Sequence, residues 1–117
     1  MDIESIRNYC ISKNAVTESM PFDDKTLVFK VTDKIFALAA LDSYPLALNL
    51  KCDPEKAIDL RERFESVRPG YHSNKKHWNT IEVNGEITKE ALYELIDHSY
   101  NLVIAKLTKK MREKYLL

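Results

Sequence analysis

The sequence predicts a single α+β domain spanning residues 1–117, with an antiparallel sheet packed by N- and C-terminal helices. Three observations carry that expectation: apolar residues alternate through three successive stretches between Leu27 and Cys52, helix-start signals stand at Asp53-Pro54 and at Thr88, and an apolar stripe at helical spacing follows Thr88. A length of 117 residues suits one core, and 44% hydrophobic with 31% charged residues is too apolar a mixture for disorder.

Asp2 can cap a first helix in which Ile3, Ile6 and Cys10 share a face, ending near Lys13 and Asn14. Periodicity breaks between Val16 and Asp24, and the segment Met20–Asp24 reads as a loop with its two apolar residues, Met20 and Phe22, tucked inward. Leu27, Phe29 and Val31 then mark the inner face of a strand, with Val28, Lys30 and Thr32 toward solvent. After a turn at Asp33-Lys34, residues 35–41 are apolar on both faces, as a central strand covered on both sides would be. Leu46, Leu48, Leu50 and Cys52 give the inner face of a third strand, so the three strands form a meander.

The carboxylate of Asp53 and the fixed φ of Pro54 suit a helix start, and Ala57, Leu60 and Phe64 form that helix's inner face. A turn at Pro69-Gly70 leads to an extended segment through Tyr71, His72 and Asn74–Thr80, continued as a strand by Ile81 and Val83. Asn84-Gly85 is a tight turn, Thr88 caps a long helix with the stripe Leu92, Leu95, Ile96, Ser99, Val103 and Leu107, and Thr108 caps a basic terminal helix. Cys10 and Cys52, each on an apolar face, are expected to be buried and reduced. The longest apolar stretch, Ile35 to Leu41, falls short of the ~20 residues of a membrane helix, and Asp2 and Glu4 stand where a signal peptide is basic, so a cytoplasmic location is expected.

Lys plus Arg and Asp plus Glu both number 18, which excludes a globally basic polyanion binder. The charge is nonetheless uneven. Acidic residues prevail up to Asp24, whereas Arg68, Lys75 and Lys76 cluster in the middle, and Lys106, Lys109, Lys110, Arg112 and Lys114 cluster at the end. The run Asn74-Lys75-Lys76-His77-Trp78-Asn79 mixes basic, amide and aromatic groups suited to phosphate and base contacts. Trp78 is expected in the core, which would turn His77 and Asn79 outward. His72 and His77 lack the spacing and acidic partners of a catalytic or metal centre, His98 on the last helix is expected to be structural or at the surface, and with glycine only at positions 70 and 85 there is no phosphate-binding glycine loop. A non-enzymatic protein without cofactor or metal is the resulting expectation.

Leu50-Lys51-Cys52-Asp53-Pro54, Pro69-Gly70-Tyr71-His72, Asn74-Lys75-Lys76-His77-Trp78-Asn79-Thr80 and Asp97-His98-Ser99-Tyr100 occur in this order, with Phe22, the strand 27–31 and the stretch 103–107 around them. On these residues the chain resembles the MmcQ/YjbR family over nearly its whole length, departing from it at Thr108, where proline is expected. The resemblance implies a frataxin-like α+β domain and, through a fold shared with a double-wing module, DNA binding. Frataxin-type iron handling would need a carboxylate row on the first helix, and Asp2 and Glu4 are too sparse for one.

The expected partner is therefore DNA, met by the exposed sheet face through Lys30, Asn49 and Lys51 together with Asn74, Lys75, Lys76, His77 and Asn79, and by the outlying cations Arg68, Lys109, Lys110 and Arg112. No membrane contact is expected. No feature of the sequence sets an oligomeric state, and a monomer suffices for this reading. The rival expectation is a protein- or small-ligand-binding module with a pocket beside Trp78.

Overall fold

The computed structural model describes residues 2–70 and 74–117. One antiparallel sheet has the strand order β1-β2-β3-β4-β6-β5, formed by β1 (Val16–Ser19), β2 (Thr26–Val31), β3 (Lys34–Ala40), β4 (Ala47–Lys51), β5 (Val67–Pro69) and β6 (Trp78–Glu82). The helices are α1 (Ile3–Ile11), α2 (Pro54–Arg63), α3 (Lys89–Ala105) and α4 (Lys109–Tyr115). Each expected cap is in place: the side chains of Asp2, Asp53, Thr88 and Thr108 accept from the amides of Ser5, Lys56, Ala91 and Met111.

The core lies between one sheet face and the helices. Phe29, Val31, Ala39, Leu48, Leu50 and Ile81 meet Ile6 and Cys10 of α1, Ala57 and Leu60 of α2, and Leu92, Leu95, Ile96 and Val103 of α3. Cys10 and Cys52 are buried and free, and burial pushes the Cys10 thiol up to about 12.

Four successive side chains of α3 each bind a different part of the molecule. Asp97 accepts from Tyr9 Oη at 2.7 Å and pairs with Lys13, joining α3 to α1. His98 Nε2 accepts the Asp53 amide at 3.1 Å, at the start of α2. Ser99, which is 0% exposed, accepts the Lys51 amide at 2.9 Å and donates to the Phe36 carbonyl at 2.5 Å. Tyr100 donates to the Asn14 carbonyl at 2.6 Å and sets its ring edge-on to Phe36.

The Ser99 contact closes a β-bulge. Phe29 opposes Ala37 while Lys30 opposes Ile35, so Phe36 is one residue too many on β3. The bulge puts Phe36 and Ala37 in the core together, Leu38 and Ala40 are left half-exposed on the other face, and Ile35 is half-exposed at the start of the strand near Val103 and Leu107. That corrects the expectation of a strand covered on both sides, because the unbroken apolar run reflects an irregularity rather than two buried faces.

Other expectations also need correction. Residues 16–19 are a strand, although only Val16 is apolar, because the free edge of β2 supplies the pairing. Met20 and Phe22 are exposed rather than tucked inward. Val28, expected toward solvent, is buried between its register partners Ser19 and Leu38. Val67–Pro69 is a short strand on β6, and residues 74–77 form a turn in which Asn74 accepts from the amides of Lys76 and His77. Among the described residues no helix is long and apolar enough to cross a membrane.

Replacing Ser99 with Ala would leave the bulge carbonyl of Phe36 buried without its donor, so urea unfolding should show a loss of about 1–3 kcal/mol. An unchanged midpoint would mean that Ser99 does not hold the bulge.

Candidate nucleic-acid interface

The antiparallel meander sorts the charges to opposite ends of the sheet. At one end β2 stops at Val31, β3 starts at Lys34, β4 stops at Lys51 and β6 starts at Trp78. The Cys52 amide donates to the His77 carbonyl at 2.8 Å, which brings the 74–77 turn with exposed Lys75 and Lys76 to the same end. The last turn of α3 arrives there too, placing Val103, Lys106 and Leu107 beside Lys34, Ile35 and Lys51. A backbone bond from the Thr32 amide to the Ala15 carbonyl, and a bond from the Asn14 side-chain amide to the Tyr115 carbonyl, seat α4 with Lys109 and Lys110 at this end as well.

The opposite end gathers acids. Asp23 caps the start of β2, Asp42 follows β3, Glu82 ends β6, and Glu86 binds the Ser66 amide. Asp2, at the start of α1, lines one open depression with Leu41, Tyr44 and Val83. A chain of zero net charge is thus unevenly charged along its strands, lysines prevailing at one end beside Asp33 and Asp53, and carboxylates at the other beside Lys25 and Lys89.

Pairing sharpens the contrast. Among the described residues Arg7, Lys13, Arg63 and Arg68 bind carboxylates, and Lys109 reaches Glu113 at 4.0 Å. Lys30, Lys34, Lys51, Lys75, Lys76, Lys106 and Lys110 make no such pair among the described residues, and neither do Lys25, Lys56, Lys89 and Lys114.

The site expected from sequence is only partly assembled. Lys51, Lys75, Lys76 and His77 come together, with Lys30 near the same end on the open sheet face. Asn79 does not join them: it is 1% exposed, accepts from Arg61 Nε at 2.7 Å and faces the core opposite Leu50. Trp78, expected in the core, is instead half-buried on the opposite face beside Lys51. The alternation of the two residues was right and its direction inverted, because the amide of Asn79 finds buried partners in Arg61 and the Ala57 carbonyl.

Arg68 is also removed from the cluster, since its guanidinium pairs with Glu82 at 2.7 Å. Asn49 accepts from Thr80 Oγ1 at 2.5 Å in the middle of the open face. That face is a shallow depression of about 330 Å³ with Thr26, Leu38, Ala40 and Thr80 in it, where Asp23 and Asp42 offset Lys25 and Arg68, so it is not the cationic surface expected. Asn74 is committed to its own turn, and Arg112 is half-buried with Nε unpartnered. His72 lies outside the described residues, as does Tyr71. The cavities described here are lined by residues other than Trp78.

Sequence reasoning missed Arg61, which braces the basic turn by donating to Asn79, to the Lys75 carbonyl and to the Trp78 carbonyl at 3.4 Å. Its position four residues after Ala57 and three before Phe64, on the inner face of α2, was the available signal. Gly70 meets β6 closely, since a Cβ there would lie 2.8 Å from that of Trp78.

The YjbR family model matches residues 11–102. The chain belongs to the YjbR family. It is 34% identical over 113 residues to the uncharacterised protein YjbR of Escherichia coli K12, covering 97% of this chain and 96% of that one. The uncharacterised protein YbdF of Escherichia coli O157:H7 is 40% identical over 95 residues, which is 80% of this chain and 77% of the relative. The crystal structure of Deinococcus radiodurans protein DR2400, a DUF419 domain, superposes with a TM-score of 0.94 at 41% identity over 98% of this chain and 88% of that one. A Pseudomonas syringae protein, structural genomics target PsR293, gives 0.76 at 26% identity, covering 87% and 98% respectively. In this YjbR-family chain the segment Asp97-His98-Ser99-Tyr100, on which the resemblance partly rests, ties α3 to its neighbours.

His98 makes one of these ties pH-sensitive. Burial, then the nearby Lys56 charge, lowers its pKa below the ordinary 6.5, with Asp53 opposing. A depressed imidazole pKa means that the unfolded chain takes up the proton first, so stability falls as pH drops through about 6.5, and protonation also removes the acceptor for the Asp53 amide. Thermal melts between about pH 7 and pH 5 should show this loss in the native protein and a flatter profile in His98→Gln; identical profiles would contradict the assignment.

Proposed function

We propose that this YjbR-family protein binds DNA without catalysing a reaction on it, holding the phosphate backbone against the basic end of its sheet. The observation that carries the reading is the convergence there of Lys34, Lys51, Lys75, Lys76 and Lys106, with Lys30 and Lys110 beside them, all outside any ion pair among the described residues. Ammonium groups left open to solvent can displace the counterions condensed on a polyanion, and that release drives association. The acidic far end would repel the same backbone and so orient the molecule on it.

The contacts are charges on strand and helix ends rather than side chains presented to base edges, which favours backbone recognition over sequence readout. Binding should be modest and salt-sensitive. Half-buried Trp78, next to Lys51, is the aromatic group placed to meet a base or sugar.

The test is duplex affinity as a function of salt. The Lys75→Ala, Lys76→Ala double variant should bind more weakly at low salt and reduce the slope of log K against log salt by nearly 2, because each lost phosphate contact contributes ~0.9. Its melting temperature should be unchanged, since both side chains are exposed. Unaltered duplex binding in this variant would remove these lysines from the interface.

A further inference from the structure

Lys34, Lys51 and Lys106 come from three separate elements, the start of β3, the end of β4 and the C-cap of α3, yet they line one depression of about 360 Å³. Ile35, Val103 and Leu107 form the rest of its lining, so no carboxylate is part of it. The C-terminal end of α3 accounts for a cation at Lys106 through the helix dipole, but it does not call for two more on the adjoining strands. Like charges are crowded together here: the Lys51 ammonium is pushed below the ordinary lysine range, first by burial and then by Lys106. The lysines could have found acidic partners, as Lys13 and Arg68 do, and they do not.

We propose that this cradle is a seat for a phosphomonoester dianion. Three ammonium groups around one cavity are better neutralised by a group of two charges than by a backbone diester of one, and lysine binds phosphate as a point charge from any side. The apolar side of the lining leaves room for a single substituent, so the carbon skeleton attached to the phosphate would lie on Ile35, Val103 and Leu107. Two sources share this chemistry: the 5′-phosphate at the end of a nucleic-acid strand, and the phosphate of a free small molecule such as a nucleoside monophosphate. The inference rests on reading this end of the sheet as an anion-binding surface, and it adds a preferred chemical group and a location.

Amide-resolved NMR titrations would use inorganic phosphate, adenosine monophosphate, and one short duplex in 5′-phosphorylated and 5′-hydroxyl forms. Saturable shifts at residues 34, 35, 51, 106 and 107 with inorganic phosphate are expected, and Lys51→Met should weaken them about tenfold by removing one charge-assisted contact. Lys106→Met, at an exposed position, repeats the test should the first variant fail to fold. A roughly tenfold preference for the 5′-phosphorylated duplex supports the strand-end source. Saturable binding of adenosine monophosphate with no such preference supports the small-molecule source. Absence of saturable shifts with phosphate and with the monophosphate, together with equal binding of the two duplexes, overturns the proposal. Salt-sensitive binding of the 5′-hydroxyl duplex in that case would leave the DNA reading standing alone, whereas a phosphate seat without duplex binding would sink the DNA reading and keep the seat.

Discussion

A single hydroxyl group closes the irregularity on which the architecture depends. Phe36 is inserted into β3 against β2, which interrupts the ladder and leaves backbone groups that the sheet alone does not pair. Ser99 on α3 reaches down to the bulge, donating to the Phe36 carbonyl and accepting the Lys51 amide of β4. The bond to Phe36 is buried and the one from Lys51 part-buried, so a missing partner is costly, most of all at Phe36. The same contact fixes how α3 crosses the sheet, and so where its C-cap, Lys106, meets Lys34 and Lys51.

The charge distribution follows from this placement and from antiparallel topology. A meander brings the end of one strand beside the start of the next, so Val31, Lys34, Lys51 and Trp78 collect at one edge of the sheet irrespective of their separation in the chain. α1 starts at the acidic end and α3 finishes at the basic end, so the acidic front of the chain and its basic tail become opposite ends of the molecule. Arg61 and the Asn74 turn then hold Lys75 and Lys76 at the basic end through backbone carbonyls and amides, leaving their ammonium groups free of that work.

Local rules made much of this legible beforehand. The three-strand meander, the caps at Asp2, Asp53, Thr88 and Thr108, the buried stripe of α3 and the buried thiols all follow from spacing and short-range hydrogen bonding. What escaped depends on contacts between distant residues. β1 and β5 have little apolar pattern and exist because β2 and β6 offer free edges. Period-two alternation separated Trp78 from Asn79 but carried no information on which of them faces inward; that depends on Arg61, 18 residues away from Asn79 in the chain. The basic end was anticipated as a face, whereas the register makes it an end; Asn79 drops out because it turns into the core and Arg68 because it pairs with Glu82.

Polarisation along the strands is the claim that ties fold to function, and backbone amide chemical-shift mapping with a short duplex at low salt tests it most directly. The account predicts that perturbed amides cluster at residues 31–35, 50–52, 74–78 and 103–110, with residues 40–47 and 82–88 at the far end unaffected. Perturbations centred instead on the open face around Leu38, Asn49 and Thr80, or spread evenly over both ends, would contradict it.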